Sequence, residues 1–161
     1  TTNTANNQMM IGSALFPITD IQWQGILTSS DMHNNALAQG NATDQQVRSG
    51  TYTPTLTGVT NVTTTTARKC QWMRVGNVVT VSGQMSIDPA GTGTTVVGIS
   101  LPVASNFGTA YELGGAGHAP TLAGHGAAIY ADATNNRAEL SYVDSIGSND
   151  VMTFTFSYEV L

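Results

Sequence analysis

The stretch Val151-Met152-Thr153-Phe154-Thr155-Phe156-Ser157-Tyr158-Glu159-Val160 decides the fold. Met152, Phe154, Phe156, Tyr158 and Val160 alternate with Val151, Thr153, Thr155, Ser157 and Glu159. A period of two puts one apolar row on one face and a mainly polar row on the other, the pattern of a half-buried strand. Phe154 and Phe156 are its expected core anchors.

Working outward, similar runs cover Thr51 to Leu56, Ala67 to Val75, Val78 to Ser86, Thr95 to Leu101, Ala127 to Ala131 and Ala138 to Val143, with residues 110 to 118 as a further candidate. Gly76-Asn77, Asn135-Asn136 and Ser148-Asn149-Asp150 are turn clusters, and each is expected to close a hairpin. Seven or eight short antiparallel strands without a helix-length pattern between them predict an all-β chain. The expected architecture is a jelly-roll-like β-sandwich, with a closed barrel as the alternative. Within the second run, Trp72 and Met73 fall on opposite faces, and Trp72 reads as core filler.

Composition agrees. Of 161 residues, 24 are Thr, 12 Asn and 17 Gly, which suits strands and turns. Only 9% are charged, with five Lys and Arg against ten Asp and Glu for a net charge of -5. So few cations give no patch that could neutralise phosphates, which argues against nucleic acid and anionic membrane as partners. Neither a membrane span nor a secretory signal is expected. Cys70 is the sole cysteine, lies within an apolar strand, and reads as a small buried hydrophobe.

The composition changes at Arg48-Ser49-Gly50, where a domain boundary is placed: residues 1–49 form an extended arm and residues 50–161 the sheet domain. Within the arm, Ser30 as N-cap and Gly40 as terminator predict a short helix. Before it, Ile11, Leu15, Phe16, Ile18, Ile21, Trp23, Ile26 and Leu27 follow no period of two or 3.6. They form a surface built to lie against another one. An exposed apolar patch of that size is unusual on a monomer, so a homotrimer is expected.

Three elements then carry a resemblance: Gly50-Thr51-Tyr52-Thr53-Pro54, Met73-Arg74-Val75-Gly76-Asn77-Val78-Val79-Thr80-Val81-Ser82-Gly83, and Ile99-Ser100-Leu101-Pro102. In this arrangement, residues 50–161 resemble a β domain recurrent in tail-fibre and related virion fibre proteins of bacteriophages and prophages. The resemblance implies a homotrimeric, nonenzymatic terminal knob on a virion appendage, whether tail fibre or head fibre, assembled in the host cytoplasm. The knob's loops would contact a host-surface glycan or protein, and the arm would dock on other virion proteins. A capsid or collar decoration without a receptor role is the alternative, and a polysaccharide depolymerase a minor one.

Candidate chemistry is sparse. His118 and His125 stand seven apart in a Gly-rich stretch with no evident Cys, Asp or Glu cluster to complete a metal site, so they read as loop or packing histidines and no metal or cofactor is expected. Gly114, Gly115, Gly117, Gly124 and Gly126 lack the order and the lysine of a phosphate loop, and suit a strand-poor linker with close backbone packing. A Ser-His-Asp triad is conceivable, but the GxSxG elbow does not occur. Asp132, Glu139, Asp144, Asp150 and Glu159 are spread over turns and strand faces, where they read as surface-solvating acids and not as a glycosidase pair. The triplets at Asn41 and Asn61 match a glycosylation pattern and are assigned no function. For receptor contact the suitable groups are turn amides and an exposed ring, at Asn106, Tyr111, Asn135 and Asn136, with ordinary turn chemistry as the competing account of each.

Overall fold

Ten strands build the sheet, all in antiparallel pairs, in a computed structural model that describes residues 47–161. They are β1 (Val47–Tyr52), β2 (Leu56–Thr60), β3 (Val62–Ala67), β4 (Cys70–Val75), β5 (Val78–Pro89), β6 (Gly93–Ile99), β7 (Leu113–His118), β8 (Gly126–Asp132), β9 (Arg137–Asp144) and β10 (Asp150–Glu159). The N-terminal apolar segment and the helix expected near Ser30 lie outside the described residues. Among those described, no helix is long and apolar enough to cross a membrane.

The spatial order is β1-β4-β5-β10-β7-β8-β9-β6-β2, with β3 on β5 beyond the end of β4. Only Asn61 separates β2 from β3, yet β2 pairs with β6 while β3 pairs with β5. Two strands so far apart in the sheet but one residue apart in sequence require the sheet to curl until its ends meet. Asn61 makes the corner. Its backbone is left-handed, with φ 52°, a conformation that asparagine tolerates better than most residues. Its side-chain amide donates to the Gly91 carbonyl at 2.7 Å and to Thr95 Oγ1 at 2.9 Å.

The alternation in the last run has the expected phase. Met152, Phe154, Phe156 and Tyr158 are buried, and the Phe154 and Phe156 rings stack with centroids 6.0 Å apart. Trp72 packs against the core while Met73 is exposed, and Cys70 is fully buried. A Cβ on Gly83 would run into the Cys70 sulfur, so the two residues share one slot between β4 and β5.

Several boundaries differ from expectation. Thr51 to Leu56 is not one strand: β1 ends at Tyr52 and β2 starts at Leu56, with the buried Pro54 between them, a residue with no N–H to give to a ladder. The Tyr52 hydroxyl donates to the Ser100 carbonyl at 3.2 Å and the Thr55 N–H to Ser100 Oγ at 2.8 Å, which seats this break on the end of β6. Strand β3 was not expected, because Val62-Thr63-Thr64-Thr65-Thr66 shows no apolar alternation. Arg48, Ser49 and Gly50, where the domain boundary was placed, all lie inside β1 and pair with β4.

Gly76-Asn77 and Asn135-Asn136 close hairpins as expected, β4–β5 and β8–β9. The third cluster does not. Ser148-Asn149-Asp150 leads from β9 to β10, and β10 pairs with β5 and β7 instead. The Gly-rich stretch is not a strand-poor linker: Gly114, Gly115 and Gly117 lie in β7 and Gly126 opens β8, with Gly124 in the loop between them. Gly115 has no room for a Cβ against Thr155 and Phe156 of β10, so its lack of a side chain is what lets β7 close on that strand.

Candidate functional site

Strand β9 ends at Asp144 and β10 begins at Asp150 at the same end of the sheet, and the β7–β8 loop delivers His125 to them. All three are buried, with relative exposures of 4% for His125 and 1% for each aspartate. His125 Nδ1 lies 2.8 Å from Asp150 Oδ2 and 3.9 Å from Asp144 Oδ1. On the other side of the ring, Nε2 is 2.8 Å from Ser145 Oγ, and Ser145 is exposed. The loop carrying His125 is held by its own backbone, since the Ala119 N–H donates to the His125 carbonyl at 3.0 Å.

The two carboxylates are engaged differently. Asp144 accepts the backbone N–H groups of Ile146 and Gly147, which folds the 145–149 loop back over the strand end. Asp150 uses one oxygen on His125, while its Oδ1 is buried without a hydrogen-bond partner. Tyr142, 3% exposed, is the neighbour on β9, and its hydroxyl also lacks a partner of good geometry. Burial and the nearby charges of Asp150 and Asp144 push the Tyr142 hydroxyl well above the ordinary tyrosine range.

This cluster overturns two expectations. Asp144 and Asp150 are not surface-solvating acids, and His125 does not lack carboxylate neighbours. The convergence comes from pairing over long sequence separations, Asp144 on Gly93 and Asp150 on Ile87, which no local spacing announces. The two histidines, read alike from the sequence, are also separated: His118 is exposed on β7 beside Thr153, while His125 is interior.

Ser145, His125 and Asp150 are in line as in a hydrolase triad. Oxyanion stabilisation needs free donors beside the nucleophile. The N–H groups that follow Ser145 are already given to Asp144.

Of the other candidate acids, Glu159 is exposed, whereas Asp132 and Glu139 are half-buried in an ion-pair network and do not simply solvate the surface. Asp132 accepts from the Thr134 and Asn135 backbones at 3.1 Å each and pairs with Arg137 at 2.9 Å, and Arg137 also reaches Glu139 at 3.0 Å. Against the upward pull of burial, the Asn135 hydrogen bonds, Arg137 and Thr134 hold the Asp132 carboxyl below its ordinary value.

The receptor candidates gather at the opposite end of β10. Asn136 donates to Asn106 Oδ1 at 3.2 Å and accepts the Phe107 N–H at 2.8 Å, while the Asn135 amide reaches Asp132 at 2.6 Å. These amides hold turns together. Tyr111, in a short 3-10 turn at Ala110–Glu112, is 95% exposed, and its ring is open to solvent.

No family model matches the chain, and comparison with curated proteins and with solved structures returns no match.

Proposed function

We propose that the chain is a structural protein of a bacteriophage or prophage virion, a homotrimeric fibre or spike whose sheet domain is a nonenzymatic terminal knob for a host-surface molecule. The observation that carries this reading is the solvent face of β1, β4, β5 and β10. Two cross-strand rows there, Ser49-Met73-Thr80-Ser157 and Thr51-Gln71-Ser82-Thr155, contain no charged side chain. Met73 within the first row is 50% exposed, and the adjoining row adds Val47, Val75 and Val78, exposed by 55, 54 and 51%, before it ends on Glu159. Depletion of charge with retained apolar area is the composition of an interface core, and a second copy presents the same chemistry without any need for charge complementarity.

The motif residues support the reading by their structural employment. Tyr52 and Ser100, from two different elements of the resemblance, hydrogen-bond each other. Gly83 accommodates Cys70. A jelly-roll-like two-layer packing is the finer architecture proposed for the curled sheet. Tyr111 is the leading receptor contact, with Asn106, Asn135 and Asn136 around it. The internal commitment of those three amides favours the second reading, a capsid or collar decoration without a receptor role.

Two measurements test this. Light scattering on the full chain should give three times the monomer mass, and Met73→Glu combined with Val75→Lys should reduce it. A monomeric wild type would overturn the trimer. The free trimer should also block attachment of particles to host cells, and unimpeded attachment would favour the decoration.

A further inference from the structure

We propose that His125, Asp144 and Asp150 form an intrachain binding site for a divalent transition-metal cation of the zinc class. One ligand atom from each residue lies within 4.8 Å of the other two, and all three residues are buried. The site stands independently of the fibre reading, since it needs neither a second subunit nor a receptor.

Charge is the first argument. Two carboxylates are withdrawn from water beside one imidazole, and His125 is the only basic side chain that pairs with either among the described residues. Buried charge of one sign is costly unless it is balanced. A divalent cation balances both carboxylates and needs no second basic side chain.

The second argument is unspent hydrogen-bonding capacity. Asp150 Oδ1 has no hydrogen-bond partner, and the nine-tenths-buried Tyr142 hydroxyl, which lies against Asp150 and Thr95, makes no hydrogen bond of good geometry. Native interiors rarely leave such groups unpaired. A cation beside Asp150 would take up the free oxygen, and the Tyr142 hydroxyl is placed to serve a coordinated carboxylate or a metal-bound water.

Geometry and donor type then name the class. Ligands each about 2.1 Å from a tetrahedral metal stand roughly 3.4 Å apart. His125 Nδ1 lies 2.8 Å from Asp150 Oδ2 and 3.9 Å from Asp144 Oδ1, which brackets that spacing. Calcium and magnesium prefer all-oxygen cages, whereas an imidazole in the set favours zinc and its transition-metal neighbours. The far nitrogen of His125 is fixed by Ser145, and Asp144 by two backbone N–H groups, the outer support that metal ligands ordinarily receive. With zinc on Nδ1, the ring proton must sit on Nε2 and be donated to Ser145 Oγ.

The test uses the full chain, stripped with chelator and then titrated with zinc chloride. We expect one zinc per chain by elemental analysis, and a melting temperature raised by about 5 to 10 °C at zinc a hundredfold above Kd. Calcium should raise it less. Asp150→Asn and His125→Gln should lose the zinc, while His118→Gln, which alters the exposed histidine, should keep it. A buried variant that unfolds would also lose zinc, so nitrogen NMR of the wild type supplies a separate readout: zinc should shift His125 Nδ1 and leave Nε2 protonated. Absence of zinc binding, equal binding by a folded Asp150→Asn, loss of binding in His118→Gln, a larger response to calcium, or an unmoved His125 Nδ1 resonance would each overturn the proposal.

Discussion

Asp150 reaches across 25 positions of sequence to place one carboxylate oxygen 2.8 Å from His125 Nδ1, and it does so as the first residue of the strand that carries the core. The polar cluster and the aromatic row are therefore one mechanical piece. Tilting β10 to repack Phe154 or Met152 would also move the carboxylate.

The aromatic row should dominate stability. Phe154→Ala removes a ring that is 5% exposed and stacked on Phe156, and it should cost about 3 to 5 kcal/mol. Urea denaturation measures this, and an unchanged midpoint would show that the row does not form the core.

Gly83 and Cys70 should be coupled. Gly83→Ala drives a methyl into the Cys70 side chain and should destabilise by about 1 to 3 kcal/mol. Adding Cys70→Ala frees the space, so the double variant should be more stable than the sum of the single changes predicts. Strict additivity in a double-mutant cycle would refute the shared slot.

At the corner, Asn61→Gly and Asn61→Ala should separate two effects. Both lose the hydrogen bonds to Gly91 and Thr95, but only alanine also carries a Cβ at φ 52°. Alanine should therefore be the worse of the two by about 1 kcal/mol. Equal thermal melting of the two variants would remove the backbone argument.

Alkaline pH should unfold the domain. Burial pushes the Tyr158 hydroxyl up to about 12, despite the Val103 N–H donated to its oxygen, and burial raises Tyr52 and Tyr142 as well. A raised folded-state pKa means that the unfolded chain gives up its tyrosine protons first, near pH 10. The stabilisation is complete below that point and is lost as pH climbs from about 10 through 12. Tyrosinate absorbance followed together with circular dichroism checks this: Tyr158→Phe should flatten the fall, and an unchanged fall would contradict it.

Strand identity was legible where side chains alternate, as from Val151 to Val160, and where Gly or Asn marks a tight turn. It was illegible from Leu56 to Ala67, because a Thr-rich strand at a sheet end buries little and shows no periodicity. The polar cluster was invisible for another reason. His125 sits in a loop, and Asp144 and Asp150 flank what reads as an ordinary turn. Only the placement of β10 against β5 and of β9 against β6 brings them together. Cys70 and Trp72 needed no such information, since strand phase alone assigns their faces.

The row Val47-Val75-Val78-Glu159 runs across β1, β4, β5 and β10, so the described chain enters and leaves at neighbouring places on one end of the sheet. Three strand spacings of about 4.8 Å separate the two points, roughly 14 Å. The opposite end of the sheet carries the 119–125 and 145–149 loops, about 30 Å away along β10. Tyr111 and the asparagine turns share the end of Val47 and Glu159. A ligand seated on the His125 cluster therefore leaves Tyr111 untouched, and one seated on Tyr111 leaves the cluster untouched.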